Sequence, residues 1–223
     1  MSNGFSPDLL TTFTTSLGAV TTLTYKPLTD NTIYIKGSGA VYPVVDLQAP
    51  IYVVSQASSR NGTGGTFNTT YTYGGAKVDQ SGRGFLGFAW QQALNTGTNI
   101  SSYTEYAQNF PYIGIPTQAS SKLGTSQVLK QTSNTLTTFG PQQYTGVYFP
   151  YVSQNIESGW DLNGAALPTV TTNSTYDVWG NPTQIAVSTG DGYSKTTTNT
   201  YNNDTTNWYL GRLLRSQVQS VTP

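Results

Sequence analysis

Cysteine and histidine are both absent from this chain of 223 residues. Their absence removes disulfides, thiolate nucleophiles, Cys/His zinc sites and imidazole acid–base catalysis together. Charge is scarce as well: only 9% of residues are charged, ten basic against ten acidic. With a pI near 6.1 there is no basic footprint for a polyanion, so no nucleic acid and no anionic membrane surface is expected as partner. No eighteen apolar residues run together, and the opening Met-Ser-Asn-Gly-Phe-Ser-Pro-Asp-Leu-Leu has neither a basic region nor a long apolar stretch. No membrane insertion and no signal peptide are therefore expected of this chain.

What is present is a strand composition. Threonine fills 37 positions, and sixteen Tyr, eight Phe and four Trp bring the aromatics to 13%. β-branched and aromatic side chains fit a pleated, half-buried surface, while 23 Gly and 11 Pro supply turns. The expected fold class is all-β, built mainly of antiparallel hairpins in large twisted or curved sheets. The whole of 1–223 reads as one all-β segment, with a weak boundary near 119–143. A Thr/Asn/Ser/Gly/Tyr-rich surface of low charge is frequent in bacterial extracellular repeat proteins, which points outward from the cell.

Residues 9–28 read as a hairpin around Ser16-Leu17-Gly18, with Leu23 and Tyr25 on one face, threonine on the other and Pro27 at its end. Residues 30–46 are too irregular for a central strand and read as an ordered loop. Ile51–Gln56 and Thr66–Tyr73 are strands joined by Asn61-Gly62-Thr63-Gly64-Gly65, a strong hairpin signal because Asn and Gly tolerate positive φ. Phe85–Leu94 and Ile100–Phe110 form a third pair around residues 95–99. The polar stretch 119–138 reads as a strand from Ser126 to Thr138 or else as a solvated linker, and Tyr144–Gln154 as a strand with a proline-marked bend.

A degenerate repeat then appears. Ser174-Thr175-Tyr176-Asp177-Val178-Trp179-Gly180-Asn181-Pro182, Asn199-Thr200-Tyr201-Asn202-Asn203-Asp204 and Leu210-Gly211-Arg212-Leu213 echo Thr70-Tyr71-Thr72-Tyr73-Gly74-Gly75. Each runs a Thr/Tyr strand end into a Gly/Asn/Asp turn. The spacing, about 25 to 100 residues, argues for a series of hairpins and against a strict short-period solenoid.

Tyr176 to Asn181 is similar to the tyrosine-aspartate (YD) repeat signature, and Asp79-Gln80-Ser81-Gly82-Arg83 shares its aspartate-x-x-glycine-arginine ending. The stretch Gly82–Pro116, with Asp191–Thr196 and Thr206–Leu213, resembles the region of SpvB/Rhs-type proteins, including the B component of insecticidal toxin complexes, that precedes the main YD repeats. The resemblance implies a shell in which strands pair edge to edge around a toxic polypeptide. Neither a self-cleaving aspartate-proline-glycine motif, nor a toxin domain, nor a β-propeller is found in the sequence. The chain is therefore expected to be a middle segment of a larger secreted bacterial protein. The resemblance implies as partners the other β-repeat segments of the same parent chain, a companion toxin-complex subunit and the enclosed toxin polypeptide. No cofactor and no enzymatic activity are implied.

The motif residues Tyr73, Asp79, Gly82, Arg83, Tyr176, Asp177, Gly180, Asn181, Tyr201, Gly211 and Arg212 are expected to do turn and packing work. An Asp or Asn before the turn can accept backbone amides, Gly supplies positive φ, and Tyr packs across the strand pair. Two other classes stay open. A secreted carbohydrate-binding or adhesive module would present Trp90, Trp160, Trp179 or Trp208 with tyrosines on one exposed face. A glycoside hydrolase would need two carboxylates about 5 to 10 Å apart in a cleft, and Glu105 and Glu157 are the only glutamates beside eight aspartates. Gly82–Gly87 lacks the βαβ setting of a dinucleotide loop, and the acidic turns at 161–164 and 177–181 lack calcium-loop spacing.

Overall fold

The computed structural model describes residues 8–139 and 146–223. Among them there are seventeen strands and no helix, so the chain is all-β, as its composition implies. The strands gather into two compact units, Met1–Tyr103 with Leu123–Thr125, and Thr104–Lys122 with Ser126–Pro223.

In the first unit the strands are β1 (Thr12–Thr14), β2 (Val20–Pro27), β3 (Tyr34–Ile35), β4 (Val44–Asp46), β5 (Tyr52–Arg60), β6 (Thr66–Gly74), β7 (Lys77–Asp79), β8 (Gly84–Phe85), β9 (Trp90–Asn95) and the start of β10 (Ile100–Tyr106). Their main order is β1-β2-β5-β6-β9-β10, antiparallel throughout where registers run Thr21↔Ser59, Ser58↔Asn68 and Tyr71↔Ala93. β3 pairs parallel with β6, Tyr34 opposite Tyr73. β4, β7 and β8 form a small antiparallel sheet of their own.

The expected hairpins at 9–28 and around Asn61–Gly65 are present, and Pro27 is the last residue of β2. The loop reading of 30–46 misses its weight. Ile33 and Tyr34 join Leu28, Tyr73 and Ala76 in the buried core, against which Leu47, Val53, Tyr71 and Phe88 pack. Tyr34 donates its hydroxyl hydrogen to the Leu47 carbonyl at 2.6 Å and accepts the Ala76 N–H at 3.1 Å, so its polar tip is satisfied inside. Phe85–Ala89 is not strand beyond Phe85, because Phe88 turns onto Tyr73 with ring centroids 4.9 Å apart and Leu86 is buried. Gly74 lets the chain lie on an indole: a Cβ there would fall 2.2 Å from the Trp90 ring.

The second unit runs β11 (Pro116–Leu123), β12 (Gln127–Phe139), β13 (Phe149–Gly159), β14 (Val170–Tyr176), β15 (Pro182–Thr189), β16 (Ser194–Asp204) and β17 (Tyr209–Val221), each antiparallel to the next from β12 onward. The strand expected over Ser126–Thr138 is β12. The competing linker reading is overturned by β11, which turns the polar residues 116–123 into a strand beside it. Threonine and serine suffice for this because backbone pairing, not side-chain burial, holds such a ladder. The strand Ile100–Phe110 ends at Tyr106, where Ala107 N–H turns to the Ile115 carbonyl at 2.9 Å. The first residues of the strand expected over Tyr144–Gln154 lie outside the described residues, and the remainder forms the start of β13.

Apolar binding in this unit comes from an aromatic ladder. Phe139 on β12, Phe149 and Tyr151 on β13 and Tyr176 on β14 have ring centroids 4.7 to 6.0 Å apart. Such pairs contribute about 0.5–1.5 kcal/mol each beyond the area they bury.

Candidate functional site

Seven turns among the described residues share one device. Asp30, Asn61, Asp79, Asn95, Asp161, Asp177 and Asp204 each accept, through Oδ1, the backbone N–H two residues on, at 2.7 to 3.0 Å. The short side chain thereby substitutes for a backbone carbonyl and closes the turn. Asp79 also accepts the Ser81 hydroxyl, and this bond, the Ser81 N–H and the charge of Arg83 hold its carboxyl below the ordinary range.

At Asp177 the device is extended into a site. The turn between β14 and β15 closes with Asp177 N–H to the Asn181 carbonyl at 2.9 Å and Gly180 N–H to the Asp177 carbonyl at 3.1 Å. Asp177 Oδ1 accepts the N–H groups of Trp179 and Asn181, both at 2.9 Å. Its Oδ2 accepts the side-chain amides of Asn181 at 2.9 Å and Asn203 at 3.0 Å. Asn203, at the end of β16, passes the network on: its Oδ1 accepts the Gly211 N–H at 2.7 Å. Tyr201 Oη and Asn199 Nδ2 donate to the Pro182 carbonyl at 3.1 and 3.0 Å. The β14–β15 hairpin is thus stitched to the β16–β17 hairpin at their turn ends.

Partial burial alone would raise the Asp177 carboxyl. The amides of Asn181, Asn203 and Trp179 outweigh it and hold the group below its ordinary value of 3.8. Gly211 is required on two counts, a φ of 75° and an approach so close that a Cβ would sit 2.7 Å from Asn181 Oδ1.

Of the residues singled out from sequence, Tyr176, Asp177, Gly180, Asn181, Tyr201 and Gly211 meet in this stitch, with Tyr176 in the aromatic ladder and Phe149 against Gly180. Arg212 lies beside it and helps to hold the Asp204 carboxyl low, after the hydrogen bonds from Asn207. Tyr73, Asp79, Gly82 and Arg83 belong to the first unit. There Tyr73 donates to the Val54 carbonyl at 2.7 Å, and burial pushes its phenol up to about 12. The bridging residue Asn203 was not singled out. Its signal was the Asn-Asn-Asp run ending a strand next to a YD turn.

Among the described residues no group of three or more acidic side chains is placed to hold a metal ion. Glu157 pairs with Lys130 at 3.0 Å across β12 and β13.

The model of the family described as insecticide toxin TcdB middle/N-terminal region matches residues 2–112. No curated protein sequence matches the chain. Among solved structures, the Photorhabdus luminescens Tc holotoxin pore superposes with a TM-score of 0.70 at 12% identity, over 96% of this chain and 15% of that one. A complex of TcdB2, TccC3 and Cdc42 superposes with a TM-score of 0.68 at 13% identity, over 91% of this chain and 14% of that one. This chain therefore spans about one seventh of the length of the solved chains it matches, and at these identities the likeness is one of fold. Residues 2–112 of the chain belong to the insecticide toxin TcdB middle/N-terminal family.

Proposed function

We propose that the chain is a wall segment of a toxin-encapsulating β-shell of the Rhs/YD-repeat kind, part of a secreted bacterial toxin-delivery complex. It works by exclusion and containment, without catalytic turnover. The observation that carries this reading is the stitch at Asp177. A hairpin that clasps the next one at its turn end, through residues of both, is a unit built for addition in series. Family membership and a fold shared with a small part of much longer toxin-complex chains support the same conclusion. The partners are the flanking β-repeat segments of a parent chain, a companion subunit of the complex and the toxin polypeptide enclosed by them.

Limited proteolysis of the natural protein assembled with its companion subunit tests this. The enclosed polypeptide should survive protease concentrations that digest it when free, and an Asp177→Ala/Asn203→Ala variant should shorten its lifetime several-fold. Equal digestion of free and assembled polypeptide would contradict containment.

A further inference from the structure

Trp208 is held where a bulky side chain is rarely found. It ends the turn between β16 and β17 at a φ of 59°, in the left-handed region that glycine and asparagine favour. The residue is nevertheless 62% exposed, and Tyr209 beside it is 61% exposed. With Leu210 and Arg212 they line a shallow depression of about 410 Å³. Trp179 braces the indole from the side, centroids 5.8 Å apart and planes at 85°, so the ring is positioned by contact as well as by backbone. A bulky residue held in the left-handed region is a backbone outlier of the kind that clusters at ligand sites, and here it stands beside a second exposed ring.

The chemistry of the rim narrows the ligand. Arg212 helps to hold the nearby Asp204 carboxyl low, so one charge of each sign stands beside the depression and neither sign is in surplus. The adjoining Thr205-Thr206-Asn207 is exposed and rich in hydroxyl and amide groups. Apolar rings beside a neutral hydrogen-bonding rim suit a ligand with one C–H face and one hydroxylated edge. We propose that the Trp208–Tyr209 depression is a binding subsite for a neutral pyranose oligosaccharide. The axial C–H bonds of a sugar ring stack on the indole, while Arg212 N–H groups and the Tyr209 hydroxyl bond its hydroxyls. The subsite is independent of containment.

The test is titration of the full chain with cellotriose and, separately, with tri-N-acetylchitotriose, read by calorimetry and tryptophan fluorescence. One saturable site is expected for at least one probe. Trp208→Asn should weaken it at least about tenfold, with the melting temperature kept because asparagine tolerates the same φ. Should that variant not fold, Tyr209→Ala takes its place with the same expectation. Absence of saturable binding with both probes, or unchanged binding by a folded variant, would overturn the proposal. So would protection of Trp208 from N-bromosuccinimide by the companion subunit without sugar, which would make the occupant a polypeptide.

Discussion

Asp177 concentrates four hydrogen bonds on one carboxylate, two from backbone N–H groups and two from side-chain amides. Removing it leaves donors on Asn181 and Asn203 without their acceptor in a partly buried place, at a cost of about 2 kcal/mol. Asp177→Ala should accordingly lower the melting temperature of the chain by about 4–8 °C in calorimetry. The pH dependence follows from the direction of the shift. A carboxyl held below 3.8 in the folded protein contributes stability at higher pH and loses it as pH falls through the folded value. Denaturant midpoints should therefore drop on acidification below about pH 4, and Asp177→Asn should flatten part of that drop. At the alkaline end Tyr73 acts in the opposite sense, since its phenol is pushed up to about 12 by burial. Its contribution is intact below pH 10 and fades as pH rises toward 12, because the unfolded phenol ionises first. Tyr73→Phe, which gives up the bond to the Val54 carbonyl, should cost about 1 kcal/mol at neutral pH and reduce the alkaline loss.

Elements were legible in the sequence wherever turn chemistry announced them. Asn61-Gly62 and Asp177 to Asn181 name their hairpins because Asx side chains and positive-φ glycines have few other uses. Ile33 and Tyr34 were missed as core because their burial comes from a two-residue parallel contact with β6, which leaves no alternation to read. β11 was blurred for the opposite reason: its side chains are polar, and pairing of the backbone leaves no hydrophobic period. Asn203 stayed hidden because its partners lie 22 and 26 residues away on another hairpin. At this scale the coupling between hairpins is measurable. Gly211→Ala sets a methyl against Asn181 and strains a φ of 75°, so it should destabilise the chain by about 2 kcal/mol or more in denaturant unfolding. The outermost strand makes a second prediction. β17 pairs with β16 alone among the described residues, and Leu213, Leu214, Val218 and Val221 are exposed along it. An unpaired edge of that length invites strand addition. The chain should sediment as dimers or larger species at micromolar concentration, and Val218→Lys should shift it toward monomer; a wild-type monomer under those conditions would remove the edge from consideration.

For the molecule as a whole, the resemblance read from the YD-like turns and from Gly82–Pro116 led to the family that residues 2–112 match. Composition alone led only as far as an all-β fold with little charge, because shells, adhesins and β-scaffold enzymes draw on the same threonine- and tyrosine-rich strands. The structure adds the stitch, whose residues come from two hairpins and clasp one to the next, and on it the proposed wall-segment role is built. The claim that follows, that these 223 residues are a wall segment of something larger, is open to one direct measurement. An antibody raised to the chain should detect, in an immunoblot of its natural source, a polypeptide far above the 24.0 kDa of this sequence. A band at 24.0 kDa would contradict the wall-segment account and make the chain a free-standing β-module.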